Sequence, residues 1–216
     1  FIFYLLFLVG LVVFIVFVEL SERKIPVQYA RKVVGRTVMG GQFSYLPVRI
    51  NIGGVIPLVF ALTFLMFIRM VVEYVSRLGG ILENLPLLLN ENYLGYYVLL
   101  AVLILFSNHF YSAVVFKPDE IAENLRDYGG FIPGIRPGKP TEEYISDIQE
   151  KITWLGGFYL VAVGVLTLIV PRILLGDVRM GIFSMTGILI AVGVALDLVR
   201  QIEAHIVTRQ YAGFIR

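Results

Sequence analysis

The stretch Phe1-Ile-Phe-Tyr-Leu-Leu-Phe-Leu-Val-Gly-Leu-Val-Val-Phe-Ile-Val-Phe-Val18 contains no charged side chain. A helix needs roughly 20 apolar residues to cross a hydrocarbon core. Backbone groups in lipid must be paired within the segment, so the run reads as a helix. Four further runs of the same kind follow, at residues 52–72, 93–116, 152–170 and 181–199. The expected fold is an all-α polytopic membrane protein with five transmembrane helices.

Composition agrees. Hydrophobic residues make up 58% of the chain and charged residues 16%, beyond what a soluble domain of this length carries. The formal charge of +2 is too small to argue for a nucleic-acid partner. Cysteine is absent, which excludes disulfides, thiolate metal sites and cysteine catalysis and leaves the compartment open.

The distribution of positive charge gives an orientation. Residues 19–51 hold Arg23, Lys24, Arg31, Lys32, Arg36 and Arg49; residues 117–151 hold Lys117, Arg126, Arg136, Lys139 and Lys151; residues 200–216 hold Arg200, Arg209 and Arg216. The segments between, 73–92 and 171–180 with the adjoining span ends, carry only Arg69, Arg77, Arg172 and Arg179. The positive-inside rule therefore predicts two long cytoplasmic loops, 19–51 and 117–151, a cytoplasmic tail and short external loops at 73–92 and 171–180. The first helix then starts outside, with no initiator Met and no basic flank before Phe1, which predicts the C-terminal part of something longer.

Both long loops carry local signals. In residues 19–51, two β-branched, aromatic and basic runs, 25–34 and 43–50, flank Gly35, Gly40 and Gly41, the pattern of a two-stranded projection with a basic tip; a solvated loop anchored by charge fits the same residues. In residues 117–151, Pro118 with Asp119 and Glu120 predicts the first turn of a short helix that ends at Gly129 and Gly130. Phe131 to Pro140 then packs prolines and glycines around Arg136 in a stiff, bent segment, after which Thr141 is placed to cap the next helix.

No motif supports catalysis. There is no glycine-rich loop ending in Lys-Ser or Lys-Thr and no Ser-His-Asp spacing, so energy for any transport comes from a partner or a gradient. No metal or cofactor site is expected. His109, beside Ser107 and Asn108, reads either as a relay or as an interhelical packing group, and Asp197 with Arg200 and Gln201 reads as an interfacial pair. Asn51-Ile-Gly-Gly-Val-Ile-Pro57 places two glycines and a proline in the first turns of a span; close packing and a moving or pore-lining helix both use such residues.

Several long motifs together resemble the C-terminal half of the bacterial SecY family of protein-conducting channels. They are Val18-Glu19 with Arg23-Lys-Ile-Pro-Val-Gln-Tyr-Ala30, Gly41-Gln42 with Leu46-Pro47, Asn51 to Pro57, Glu123-Asn-Leu125 with Gly130-Phe-Ile-Pro-Gly-Ile-Arg-Pro-Gly138, and Asp197-Leu-Val-Arg-Gln-Ile-Glu203. The resemblance implies that the five spans are the family's sixth to tenth helices, forming half of a channel. It implies that Val59 and Ile190 belong to the apolar pore ring, and that Asn51, Gly54, Pro57 and Thr63 lie on a pore-lining lateral-gate helix. Apolar residues suit a seal that excludes ions by dewetting.

The same resemblance implies a central pore subunit of the Sec translocase in the bacterial plasma (inner) membrane, passing unfolded polypeptides across and into lipid. The implied partners are SecE and SecG, the SecA motor or a ribosome, the translocating polypeptide and the N-terminal half of the channel. Arg136, Lys139, Arg31, Lys32 and Arg36 are the expected contacts for the cytosolic partner. The alternative, half of a secondary transporter for a small solute, predicts a midplane polar site between broken helices, a signature of which only Pro57 is present.

Overall fold

A computed structural model describes residues 2–29, 32–34, 37–39, 43–77, 89, 93–175, 187, 190–196, 198–199 and 201–202. The chain divides into two compact units, Leu20–Val161 and the remainder, Phe1–Glu19 with Ala162–Arg216. Among the described residues four helices are long and apolar enough to cross a membrane. The architecture is mostly helical; paired strands stand in residues 22–49, where a two-stranded projection was one of the two readings, and a further strand at Gly130–Phe131 joins them.

In the smaller unit, α1 (Ile2–Glu19) buries Tyr4, Leu11, Ile15 and Glu19, spaced by seven and four residues on one face. The rest of its surface is apolar and exposed, with Ile2, Phe3 and Phe17 each more than 70% accessible. Apolar side chains in that number are what lipid solvates. Of the expected fifth span, 181–199, residues 187, 190–196 and 198–199 are helical and the others lie outside the described residues. Asp197 and Arg200 also lie outside them.

The larger unit begins with strand β1 (Glu22–Tyr29), then the short hairpin β2 (Lys32–Val34) and β3 (Thr37–Met39), then β4 (Phe43–Arg49). β1 and β4 pair antiparallel from Glu22 opposite Arg49 to Gln28 opposite Phe43. Two helices follow, α2 (Ile56–Arg77) and α3 (Leu94–Val115), then the short α4 (Pro118–Asp127). Strand β5 (Gly130–Phe131) adds to the other edge of β1, giving the order β4-β1-β5. Helix α5 (Lys139–Leu175) follows and runs for 37 residues.

Helix α4 has the expected start, with Pro118 in its first turn beside Asp119 and Glu120, and it ends at Tyr128. Gly130, expected as a helix stop, is also the first residue of β5. Helix α5 corrects the sequence reading at its start. It begins at Lys139, so Thr141 lies inside the first turn, and its hydroxyl donates to the Arg136 carbonyl at 2.9 Å. From there it runs without a break through the expected span at 152–170. At 1.5 Å per residue it is about 55 Å long, well beyond the roughly 30 Å of hydrocarbon, so it projects into water.

The projecting part carries an aqueous-type core. Ile25 and Val27 of β1 alternate inward, Val48 joins them from β4, Leu125 from α4, Ile132 from the connecting loop, and Ile145 and Ile152 from α5. Ile145 and Ile152 are two helical turns apart with Ile148 between them at the edge of the cluster, so one stripe of α5 serves it. Burying each such side chain stabilises by about 1.5–3 kcal/mol. Strands β1 and β4, helix α4, the loop at Ile132 and the start of α5 thus form one packed body.

Ile145 is fully buried, so Ile145→Ala is expected to destabilise this body by about 2–5 kcal/mol. Tyr128 is 75% exposed, and Tyr128→Ala is expected to change stability by no more than about 0.5 kcal/mol. Thermal unfolding in mild detergent with limited proteolysis of the loops measures both; similar melting temperatures for the two variants contradict the assignment of the core.

Candidate functional site

The entry to α2 is built from backbone geometry. Asn51 is buried and its side-chain amide donates to the Gly54 carbonyl at 2.9 Å. Gly54 has φ +58°, the left-handed region that side chains with a Cβ rarely adopt. A Cβ at Gly53 would lie 2.6 Å from the Pro57 ring and 3.0 Å from the Tyr111 ring of α3, so the turn before α2 is tight and sits close against α3. Pro57 is fully buried just after the turn.

From that start, Leu58, Ala61 and Leu65 form the buried stripe of α2, which packs on α3. Val59 and Thr63 lie one turn apart on another, exposed face, and the Thr63 hydroxyl donates to the Val59 carbonyl at 2.8 Å. Val59 is 40% accessible and Ile190 38%. Val59 belongs to the larger unit and Ile190 to the smaller.

The second cluster is the loop around Arg136. Ile132 and Ile135 on its near side are packed into or against the core, and the Ile135 amide donates to the Ile132 carbonyl at 3.0 Å. On its far side Gly138, at φ +101°, turns the chain into α5, and its carbonyl accepts from the amides of Thr141 and Glu142. With Thr141 also bonded to its carbonyl, the Arg136 backbone is fixed while its side chain is exposed. Lys139 is exposed three residues on. Lys32 lies in β2, whereas Arg31 and Arg36 lie outside the described residues.

A third arrangement was not singled out from the sequence. Between α3 and α5, Asn108 donates to the Thr153 carbonyl at 2.8 Å, the hydroxyls of Ser112 and Thr153 bond at 2.7 Å, and Gln149 donates to the Ser112 carbonyl at 3.1 Å. All four residues are buried. Below them, Gly156 lets α5 approach the chain at Ile50: a Cβ there would lie 2.7 Å from the Ile50 carbonyl oxygen. His109 is exposed, its ring 6.3 Å from that of Trp154, and it takes no part in these hydrogen bonds, so the residue weighed as a relay is outside the hydrogen-bonded set. The signal available in the sequence was the Gly156-Gly157 pair in an otherwise apolar helix. At the membrane edge, hydrogen bonding to Glu120, reinforced by its charge, holds the exposed Lys117 ammonium above the usual lysine range.

The SecY family model matches residues 1–199. The chain belongs to the SecY family. It is 41% identical over 205 residues to the protein translocase subunit SecY of Thermotoga maritima, covering 94% of this chain and 45% of that protein. It is 42% identical over 218 residues to the same subunit from Thermus thermophilus, covering 100% of this chain and 48% of that protein. The chain therefore spans about half the length of these relatives. The fold agrees. A solved structure concerned with the plug domain of the SecY protein matches with a TM-score of 0.61 at 18% identity, over 90% of this chain and 47% of that one. Another, described as the structure of a protein conducting channel, matches with a TM-score of 0.50 at 18% identity, over 74% of this chain and 40% of that one. With its apolar helices, SecY membership makes this a multi-pass membrane protein.

The two adjacent glycines of α5 have different neighbours. A Cβ at Gly156 meets a backbone oxygen, whereas at Gly157 its neighbours are side-chain atoms, the Leu105 methyl at 2.9 Å and the hydrogen-bonded Asn108 amide at 3.2 Å. Gly156→Ala is expected to destabilise by about 1–3 kcal/mol. Gly157→Ala is expected to cost less, because side chains yield more readily than backbone and helix propensity returns up to about 1 kcal/mol. Melting temperatures in detergent rank the two, and the reverse order contradicts the close approach at Ile50.

Proposed function

We propose that this chain forms half of the central pore subunit of a Sec-type protein translocase, conducting unfolded polypeptides across the membrane and releasing apolar segments sideways into lipid. Membership of the SecY family carries this reading, and the relatives' description as protein translocase subunits supports it. Half of a small-solute transporter is not favoured on the same ground. The chain is read as a channel component with no catalytic residues, cofactor or metal of its own.

In this reading the five spans lie in a bacterial inner membrane. The concentration of Lys and Arg in residues 19–51, 117–151 and 200–216 supports a cytoplasmic position for those segments. The packed body of β1, β4, α4 and the start of α5 is then a docking platform for a SecA-type motor or a ribosome, with Arg136 and Lys139 as contacts and Arg31, Lys32 and Arg36 adding positive charge. SecE- and SecG-type small subunits, the N-terminal half of the channel, the moving polypeptide and lipid are the other partners. Val59 and Ile190 are assigned to the pore ring, where flexible aliphatic groups exclude hydrated ions yet mould around a peptide. Asn51, Gly54, Pro57 and Thr63 are assigned to the pore-lining gate helix, whose turn at Gly54 gives it a defined pivot.

A charge on a fixed backbone loses little entropy on pairing, so reversing it acts on docking. Arg136→Glu is expected to lower motor-dependent export by about tenfold or more while the channel inserts normally. Export of a secretory precursor at ordinary rate through that variant contradicts the contact.

Asparagine at Val59 or Ile190 is expected to hold water in the constriction and raise resting ion conductance. Phe60 and Ala191, each turned by about 100° on its helix, are exposed controls. Planar-bilayer recordings of the four Asn variants decide: leak confined to positions 59 and 190 supports the ring, and equal leak from all four removes it.

A further inference from the structure

Where α3 leaves its span and α5 enters its own, the two helices part around a cleft of about 400 Å³. That volume is within the roughly 300–1,000 Å³ of small-ligand sites. Its floor is the buried seam, where Ser112, Gln149 and Thr153 are already bonded to one another. Its rim is different. Glu150, Ser146 and His109 line it, are exposed, and make no hydrogen bond or ion pair among the described residues.

Charge selects the ligand. With histidine counted neutral, the one formal charge in the lining is the Glu150 carboxylate. The lysines next to it in sequence are engaged elsewhere, Lys151 with Asp147 at 2.7 Å and Lys117 with Glu120. A purely anionic group would therefore meet a carboxylate with no nearby cation to offset it. A ligand bearing an ammonium meets an acceptor of opposite charge, a hydroxyl acceptor at Ser146 and a flanking aromatic ring at Trp154.

Depth selects it further. The cleft lies at the end of the apolar run of α3, beside Phe116 and Pro118, which is headgroup level for a spanning helix. On the hydrocarbon side of it, Phe106 and Phe110 of α3 and Trp154 and Phe158 of α5 are each 48% or more exposed, with the Trp154 and Phe158 rings 6.0 Å apart. Tryptophan at that depth is typical of the membrane interface. A polar cleft continuous with an aromatic, lipid-exposed surface fits an amphiphile better than a free solute.

We propose that this cleft binds the headgroup of an aminophospholipid, phosphatidylethanolamine, with its primary ammonium donating to the Glu150 carboxylate and the Ser146 hydroxyl. Its phosphate accepts from the imidazole N–H of His109, and its acyl chains lie along Phe110 and Phe158. Three N–H donors distinguish this headgroup from choline, which has none, and the positive charge distinguishes it from glycerol headgroups. The proposal rests on α3 and α5 crossing a bilayer, and it is independent of the pore assignment.

The test is native mass spectrometry of the intact channel purified in mild detergent, titrated with phosphatidylethanolamine, phosphatidylcholine and phosphatidylglycerol of identical acyl chains. Phosphatidylethanolamine is expected to be retained preferentially, and Glu150→Gln to lower its apparent affinity on the order of tenfold. Glu150 is exposed, so the variant keeps its fold, and an unchanged melting temperature checks this. Retention of phosphatidylglycerol or phosphatidylcholine equal to that of phosphatidylethanolamine overturns the proposal. So does undiminished phosphatidylethanolamine binding by Glu150→Gln. Soluble phosphoethanolamine is the remaining arm: affinity equal to the lipid's means that the tails contribute nothing, and the lipid assignment fails.

Discussion

The cluster of Ile25, Val27, Val48, Leu125, Ile132, Ile145 and Ile152 is the interaction on which the larger unit depends. It joins residues that lie more than a hundred positions apart, and it is held by removal of apolar surface from water. Without it, the strands of residues 19–51 would be a two-stranded ribbon, which is marginal alone. With it, β5 closes onto β1 and the loop carrying Arg136 is held between Ile135 and α5.

On the face of α5 that meets α3 the means of packing changes. In hydrocarbon an apolar helix face gains nothing by meeting another apolar face instead of lipid, so association relies on close approach and on hydrogen bonds. The structure uses both at neighbouring places. Gly156 brings the helix backbone against Ile50, and Asn108, Ser112, Gln149 and Thr153 form a continuous buried seam with α3. One uninterrupted helix thus presents aliphatic side chains to the strands and small or polar residues to α3 and Ile50.

Helix α2 divides its faces in a similar way. The stripe of α2 at Leu58, Ala61 and Leu65 is committed to α3, while Val59 and Thr63 stay exposed on another face. The helix begins at a turn fixed by Asn51 and Gly54, so a change of direction there need not disturb its packed stripe. An apolar exposed position such as Val59 suits lipid and a dry pore equally well by composition, which is why its assignment rests on kinship with SecY and on experiment.

Much of the membrane character was legible in residue order alone. An uncharged run such as residues 1–18 has no alternative in lipid to a helix, because its backbone must be paired within the segment. Pro118 with its following carboxylates likewise announced α4, since those residues suit the first turn of any helix. Tertiary structure decided what depends on partners distant in sequence. Thr141 was expected as a cap, but Pro140 fits the first turn of a helix already begun at Lys139, and the hydroxyl bonds back to Arg136. The third strand at Gly130–Phe131 exists only because β1 offers it an edge. The seam around Thr153 was hidden because each member, taken singly, is an ordinary polar residue in an apolar helix. Local chemistry fixes how a segment is paired with itself, and only the folded chain decides which segments share a core.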